Sequence, residues 1–158
     1  MLYDFELAGR RVRLWQRPGE GYGHVLMKAL GYAMFVGEFP GLEIERPVGL
    51  RYKPDLVAEC GDKEAGGGRR FAFWGECGMV TTRKVAWLLK HGGVGRLVLF
   101  KTAVNAAALS AELRDAVDRR YRPRGRLLIV SFVADVAARA AGRRVARVPQ
   151  NWYTTTAV

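Results

Sequence analysis

Apolar and polar positions alternate over two segments near the start of the chain. Residues 2–7 and 11–16 follow the two-residue period of a half-buried strand, so both are predicted to be strands. The spacing then changes to that of a helix, in which Leu26 and Leu30 recur on one face. Because Pro18 suits the first turn of a helix, we expect this helix to begin near it.

The rest of the chain predicts alternating strands and helices. Strands are expected at 41–50 (weakly), 51–59, 70–76, 96–104 and 125–132, and helices at 81–93 and 105–121, followed by a short helix and an extended tail. A threonine hydroxyl of "TTRKV" can cap the first of these helices and Asn105 can open the second, and the glycine-rich stretch 60–70 predicts a hairpin. The pattern indicates one α/β domain, residues 1–158, with a mixed sheet flanked by helices.

The composition indicates a globular protein of the cytoplasm. A chain of 158 residues with 49% hydrophobic residues can bury a sizeable core. We expect no membrane association, because the sequence has neither a long apolar run nor a secretory signal pattern. Cys60 and Cys77 lack the spacing of a zinc site and are expected to be reduced, at opposite ends of the hairpin.

Charge is the strongest global signal. The chain has 26 lysines and arginines against 15 acids, which leaves a net charge of +11. Such a surplus attracts polyanions, so nucleic acid is the expected partner. Arginine outnumbers lysine by 20 to 6, however. The alternative is therefore that base composition of the genome enriches arginine and that these charges only solvate the surface.

Two acids, Asp55 and Glu76, occupy unusual places in the hairpin. Glu76 ends the apolar stretch "FAFWGE", and Asp55 follows a proline in "RYKPDLVAE". If the turn is centred near residues 65 and 66, Asp55 and Glu76 stand opposite each other and project to the same side. Two carboxylates so placed repel, and a divalent cation would relieve that repulsion.

Polar residues on the first and second long helices add candidates. Glu20, His24 and Lys28 recur every four residues and form a polar stripe, which faces either bulk solvent or a wet cleft that contains the two acids. Arg83 and Lys84 lie in the first turn of the helix that begins near Thr81, where the helix dipole disfavours cations. Lys84 is our first candidate to contact a phosphate and Arg83 the second, although both can be solvated surface charges.

These residues together resemble a known group of enzymes. "KPDLVAE", "GEC" at a strand end and an upstream helical glutamate are similar to the PD-(D/E)XK nuclease superfamily, and the surrounding "RPGE…HVLMKALGYAMF" and "WGECG…RKVA" are similar to its YaeQ-like branch. The resemblance implies a restriction-endonuclease-like fold and hydrolysis of phosphodiesters in DNA or RNA. It also implies that Glu20, Asp55 and Glu76 bind Mg²⁺ or Mn²⁺.

One position departs from the superfamily pattern. Gly78 stands where the motif has a catalytic lysine, and Lys84 or Arg83 on the following helix would supply the missing cation. Three functions remain open from the sequence: a metal-dependent nuclease, a basic nucleic-acid-binding protein with a silent acidic site, and a regulatory domain that binds other proteins.

Overall fold

The computed structural model of the chain describes residues 1–61 and 68–158, and within these ranges it contains nine strands and four α-helices. The strands are β1 (Leu2–Leu7), β2 (Arg10–Trp15), β3 (Glu43–Ile44), β4 (Leu56–Glu59), β5 (Phe71–Cys77), β6 (Val94–Thr102), β7 (Leu127–Phe132), β8 (Arg144–Val145) and β9 (Tyr153–Ala157). The helices are α1 (Tyr22–Phe35), α2 (Thr82–His91), α3 (Ala106–Ala116) and α4 (Val136–Arg139).

The strands form a mixed six-stranded sheet and a small three-stranded sheet. The larger sheet has the order β3-β4-β5-β6-β7-β9, and the smaller one the order β2-β1-β8. In the larger sheet β5, β6 and β7 are parallel, whereas β3, β4 and β9 pair antiparallel with their neighbours. The predicted class, a mixed sheet flanked by helices, is confirmed.

Two apolar layers cover the larger sheet. Helix α1 and the small sheet pack on one face, and α2 with α3 pack on the other. Glycine permits the close approach of α1, because a Cβ on Gly31 would lie 2.7 Å from Cδ1 of Leu56 and 2.9 Å from Cζ of Phe100. This contact holds α1 against the centre of the sheet.

The hairpin register agrees with the sequence prediction over most of its length. Leu56 pairs with Gly75, and Val57 with Trp74, before a bulge shifts the register at Glu59. These pairs have numbers that sum to 131, as the predicted turn position requires. The predicted turn itself, near residues 65 and 66, lies outside the described residues.

Several element boundaries differ from the sequence prediction. Helix α1 begins at Tyr22 rather than near Pro18, because Gly19 has a φ of +81° and the N–H of Glu20 bonds back to the carbonyl of Arg17 in a turn. Strand β4 begins only after Pro54, which has no N–H to donate to a strand partner.

The later elements also differ in detail. Helix α3 ends at Ala116 and is followed by a 3-10 turn, Arg119–Tyr121, whereas the pattern predicted one longer helix. The expected extended tail is a strand of the sheet, since β9 pairs antiparallel with β7.

Helix caps and cysteines agree with the predictions. The Thr81 hydroxyl accepts the N–H of Lys84, and the Asn105 side chain accepts the N–H of Ala108, so both caps are confirmed. Cys60 and Cys77 form no disulfide. Across residues 1–61 and 68–158, none of the helices is both long and apolar enough to cross a membrane.

A candidate site at the end of strand β5

The predicted acids meet at one end of the larger sheet. Asp55 directly precedes β4, which runs antiparallel to β5, so its position lies beside the carboxyl end of β5. Glu76 is the second-last residue of β5, which ends at Cys77. Glu20, just before α1, also reaches this region, because His24 lies 3.5 Å from Glu20 and 3.3 Å from Asp55.

Asp55 has partners on both carboxylate oxygens. Its Oδ2 accepts the backbone N–H of Cys77 at 2.7 Å, and its Oδ1 lies 3.3 Å from Nε2 of His24. Burial alone would raise the pKa of Asp55, but the His24 and Cys77 interactions hold that pKa below its usual value. The carboxylate is therefore charged near neutral pH although it is largely buried.

A buried lysine connects two further acids. The side chain of Lys28 is 0% exposed, and its Nζ donates to Glu20 at 2.5 Å and to Glu45 at 3.0 Å. Burial acts to lower the pKa of Lys28, but the two carboxylates raise it above its usual value. The polar stripe of α1 thus lies in an internal cleft beside Asp55 rather than in bulk solvent, which is the second of the two alternatives raised by the sequence.

Glu76 is buried against α2. Its Oε1 accepts the indole N–H of Trp74 at 2.7 Å, and its Oε2 accepts Nζ of Lys84, also at 2.7 Å. Burial raises the pKa of Glu76, and the charge of Asp55 adds to that rise, in spite of the opposing effect of Lys84 and Trp74. Burial therefore disfavours the charged form of Glu76 more than its two hydrogen-bond partners favour it.

The side-chain partners of Asp55 and Glu76 come from different helices. Asp55 interacts with His24 of α1, whereas Glu76 interacts with Lys84 of α2, and these helices cover opposite faces of the sheet. The register prediction was correct, but Asp55 precedes the first ladder pair and its side chain turns to the N–H of Cys77. The charge of Asp55 contributes to the raised pKa of Glu76.

The predicted three-acid metal site is not assembled in this arrangement. Within residues 1–61 and 68–158, no three His, Cys, Asp or Glu side chains are grouped so as to hold a metal ion. Glu20 is occupied by Lys28. Mg²⁺ usually binds one or two carboxylates together with water and phosphate oxygens, so the oxygen donors of Asp55 and Glu76 suit this ion. Glu76 is nevertheless paired with Lys84, as Glu20 is with Lys28.

The two predicted cations differ in position. Lys84 lies within the site, where its Nζ contacts Glu76 and stands 5.2 Å from the ring centre of Tyr52. Arg83 is exposed and, among the described residues, forms no ion pair with an acid. The structure brings together Glu20, Asp55, Glu76 and Lys84, but not Arg83.

Lys101 is a member of the site that the sequence prediction missed. Strands β5 and β6 are parallel, and Cys77 pairs with Phe100, so Lys101 lies beside Gly78. Its Nζ donates to the carbonyl of Gly78, and burial lowers the pKa of Lys101. The available signal was the cation in "VLFKT", placed at the end of an otherwise apolar strand.

Gly78 has a conformation that suits its place. Its φ is +74°, a region that favours glycine, and a Cβ there would lie 3.2 Å from Nδ1 of His24. A lysine at this position would require both a strained backbone and a displaced His24. Lys101 instead brings an ammonium group to this position from the neighbouring strand.

Together, the fold and the candidate site describe an α/β domain in which acids and lysines gather at the carboxyl end of a central parallel strand.

Solved structures with this fold include two YaeQ proteins. One, from Xanthomonas axonopodis pv. citri, matches with a TM-score of 0.60 and 15% sequence identity, covering 90% of this chain and 80% of its own. The other, from Pseudomonas syringae, matches with a TM-score of 0.61 and 17% identity, covering 99% and 88%.

The comparisons establish the fold and nothing about the chemistry. At 15% and 17% identity, the likeness shows a YaeQ-like fold. No model of a known protein family matches the chain, and no curated protein matches it in sequence. The function must therefore be argued from the site.

Proposed function

We propose that this protein hydrolyses phosphodiester bonds in nucleic acid with the help of a divalent metal ion, as a member of the PD-(D/E)XK superfamily. The supporting observation is that two largely buried carboxylates, Asp55 and Glu76, lie at the end of β5 beside the ammonium groups of Lys84 and Lys101. Adjacent acids and ammonium groups are the components that phosphodiester hydrolysis requires.

Each residue has a distinct proposed role. Asp55 and Glu76 would hold Mg²⁺ or Mn²⁺, which when bound supplies Lewis-acid stabilisation of the phosphate and a more acidic bound water. Lys84 and Lys101 would stabilise negative charge on the phosphate, with Arg83 as an outer contact. Glu20 would act through His24, which it helps to orient toward Asp55.

A second candidate function is nucleic-acid binding without hydrolysis, in a protein that keeps the fold. The observation in its favour is that each carboxylate oxygen of Asp55 and Glu76 already has a protein partner. A divalent ion must therefore compete with Lys84 for Glu76. If that competition fails, the acidic cluster is a structural ion-pair network.

Calorimetric titration with Mn²⁺ tests whether Asp55 binds a metal ion, as the hydrolytic proposal requires. The wild type is compared with Asp55→Asn and with Asp115→Asn, an exposed carboxylate on α3 that serves as the control. Site-specific heat is expected for the wild type and the control, and its loss is expected for Asp55→Asn. Equal and negligible heats for all three proteins contradict the hydrolytic proposal.

Cleavage of labelled single-stranded and duplex oligonucleotides then tests the reaction itself. Metal-dependent cleavage that Asp55→Asn abolishes supports hydrolysis. Lys101→Met is expected to lower the rate of cleavage about 10²-fold while Mn²⁺ binding persists, because removal of one preorganised charge-stabilising group has an effect of this order. Bound metal without any cleavage favours the second function.

A further inference from the structure

The surplus positive charge of the protein does not lie at the candidate site. The candidate site contains four carboxylates and three lysines, so its charges nearly cancel. They are Glu20, Glu45, Asp55 and Glu76 against Lys28, Lys84 and Lys101. A net charge of +11 must therefore be carried by other surfaces.

Arginines are concentrated where the chain leaves α3 and enters β7. Residues 114–126 contain six arginines and two aspartates. Five of these arginines line one open depression of about 810 Å³. They are Arg114, Arg119, Arg120, Arg122 and Arg124, and we refer to them together as the arginine face.

Most of this charge is uncompensated by acids. Arg120 lies 3.9 Å from Asp118, and both side chains are exposed. Elsewhere in the described parts of the chain, no acid forms an ion pair with Arg114, Arg119 or Arg124. Exposed like charges that line one depression repel one another, so an anionic ligand would relieve that repulsion.

The arginine face is remote from the carboxylates. A second depression, of about 500 Å³, adjoins it at Arg124 and is lined by Arg69 and Arg96. Both depressions adjoin the loop that precedes β7, at the amino ends of the parallel strands, whereas Glu76 is at the carboxyl end of β5. Since β6 has nine residues, the two ends of the sheet are roughly 26 Å apart.

We propose that the arginine face binds the phosphate backbone of nucleic acid at a surface separate from the candidate site. Guanidinium groups match phosphate oxygens in a bidentate geometry, and neutralised phosphates release condensed counterions. An anionic membrane is a poorer fit, because the large exposed apolar side chains of the described residues, Met1, Leu2, Trp15 and Met79, lie outside this face. The proposal shares its partner with the proposed function but does not require hydrolysis.

The test is a salt series of oligonucleotide binding with charge-matched variants. Arg114→Ser/Arg119→Ser/Arg124→Ser removes three exposed arginines of the face. Arg13→Ser/Arg139→Ser/Arg144→Ser removes three exposed arginines elsewhere, each of which contacts an acid. Fluorescence anisotropy of labelled single-stranded and duplex DNA gives the affinity of each protein at increasing salt.

The face variant is expected to lose about tenfold or more in affinity. Its slope of log affinity against log salt should become shallower by about 2, because each lost phosphate contact lowers that slope by about 0.7–0.9. The control should keep most of its affinity and slope. Equal weakening of both variants indicates a general charge effect and overturns the proposal. Stronger binding of polyglutamate or anionic vesicles than of DNA overturns it as well.

Two further measurements separate folding and hydrolysis from this result. Thermal unfolding should be similar in all variants, and Arg119→Ser alone should reduce the slope by about 1 if the triple variant is unstable. The face variant should bind Mn²⁺ like the wild type. Absence of Mn²⁺ binding in the wild type would refute the proposed hydrolysis while leaving the arginine face intact.

Discussion

The buried ion pairs of Lys28 offer a direct test of how the site is built. The Nζ atom of Lys28 lies 2.5 Å from Glu20 and 3.0 Å from Glu45, and the side chain is inaccessible to solvent. Lys28→Met keeps an unbranched side chain of similar size but removes the charge and both hydrogen bonds. Two partly buried carboxylates are then left without their shared cation.

The expected loss of stability can be estimated from the exposure of these groups. Removal of one partner from a fully buried ion pair costs about 3–5 kcal/mol, because the remaining charge is uncompensated. The side chains of Glu20 and Glu45 are 12% and 23% exposed, so water can still solvate part of their charge. We therefore expect Lys28→Met to lower the free energy of unfolding by about 2–3 kcal/mol near neutral pH.

The destabilisation should depend on pH. Despite an opposing effect of burial, Lys28 and the N–H of Arg17 hold the pKa of Glu20 below its usual value of 4.5. A carboxyl group with a lowered pKa stabilises the fold above its unfolded pKa, and that contribution disappears as pH falls through the folded pKa. The difference between wild type and Lys28→Met should therefore shrink below pH 4.5.

Urea denaturation across this pH range measures the effect. Lys53→Met, at an exposed position, is the control and should change the free energy of unfolding by less than about 0.5 kcal/mol. Lys28→Met/Glu20→Gln should recover part of the loss, because one unpaired charge is removed. A Lys28→Met protein as stable as the control, or a loss independent of pH, would refute the assigned ion pairs.

Two further substitutions test the packing around the sheet. Gly31→Ala should lower the free energy of unfolding by about 1–3 kcal/mol, because its Cβ would lie 2.7 Å from Leu56. A Cβ at Gly23 would have nothing within 4 Å, so Gly23→Ala should be neutral or stabilising in the same denaturation assay. Arg126 donates to three backbone carbonyls. Its replacement by Met should lower the melting temperature and cost about 2–3 kcal/mol, with exposed Arg83→Met as the unaffected control.

The local elements could be predicted because their signals are local. Helix α2 has an N-cap hydroxyl at Thr81 and a glycine at its end, and α3 has the Asn105 cap, so both beginnings follow from short-range hydrogen bonds. The register of β4 against β5 agrees with the one predicted by centring the turn in the glycine-rich stretch, which requires paired residue numbers to sum to 131. The start of α1 was misplaced because Pro18 is compatible with a turn as well as a helix.

The site could be predicted as a set of residues but not as an arrangement. Alternation assigns Asp55 and Glu76 to one face only if the ladder continues to both, and Asp55 lies just outside it. The burial of Lys28 depends on Glu45, which is far along the chain and reaches α1 only in the folded structure. Such contacts are set by tertiary packing, which the spacing of residues does not determine.

Under the proposed function, Lys101 takes the place of the cation that Gly78 lacks. A residue with a side chain at position 78 would need a strained backbone and would crowd His24. The parallel pairing of β5 with β6 instead brings the ammonium group of Lys101 to the same strand end. The neighbouring strand thus provides the positive charge that this position lacks. Because the charges of the site nearly cancel, the proposed attraction of nucleic acid would depend on the arginine face and the proposed hydrolysis on the site. Loss of nucleic-acid binding and loss of hydrolysis should therefore occur in different variants.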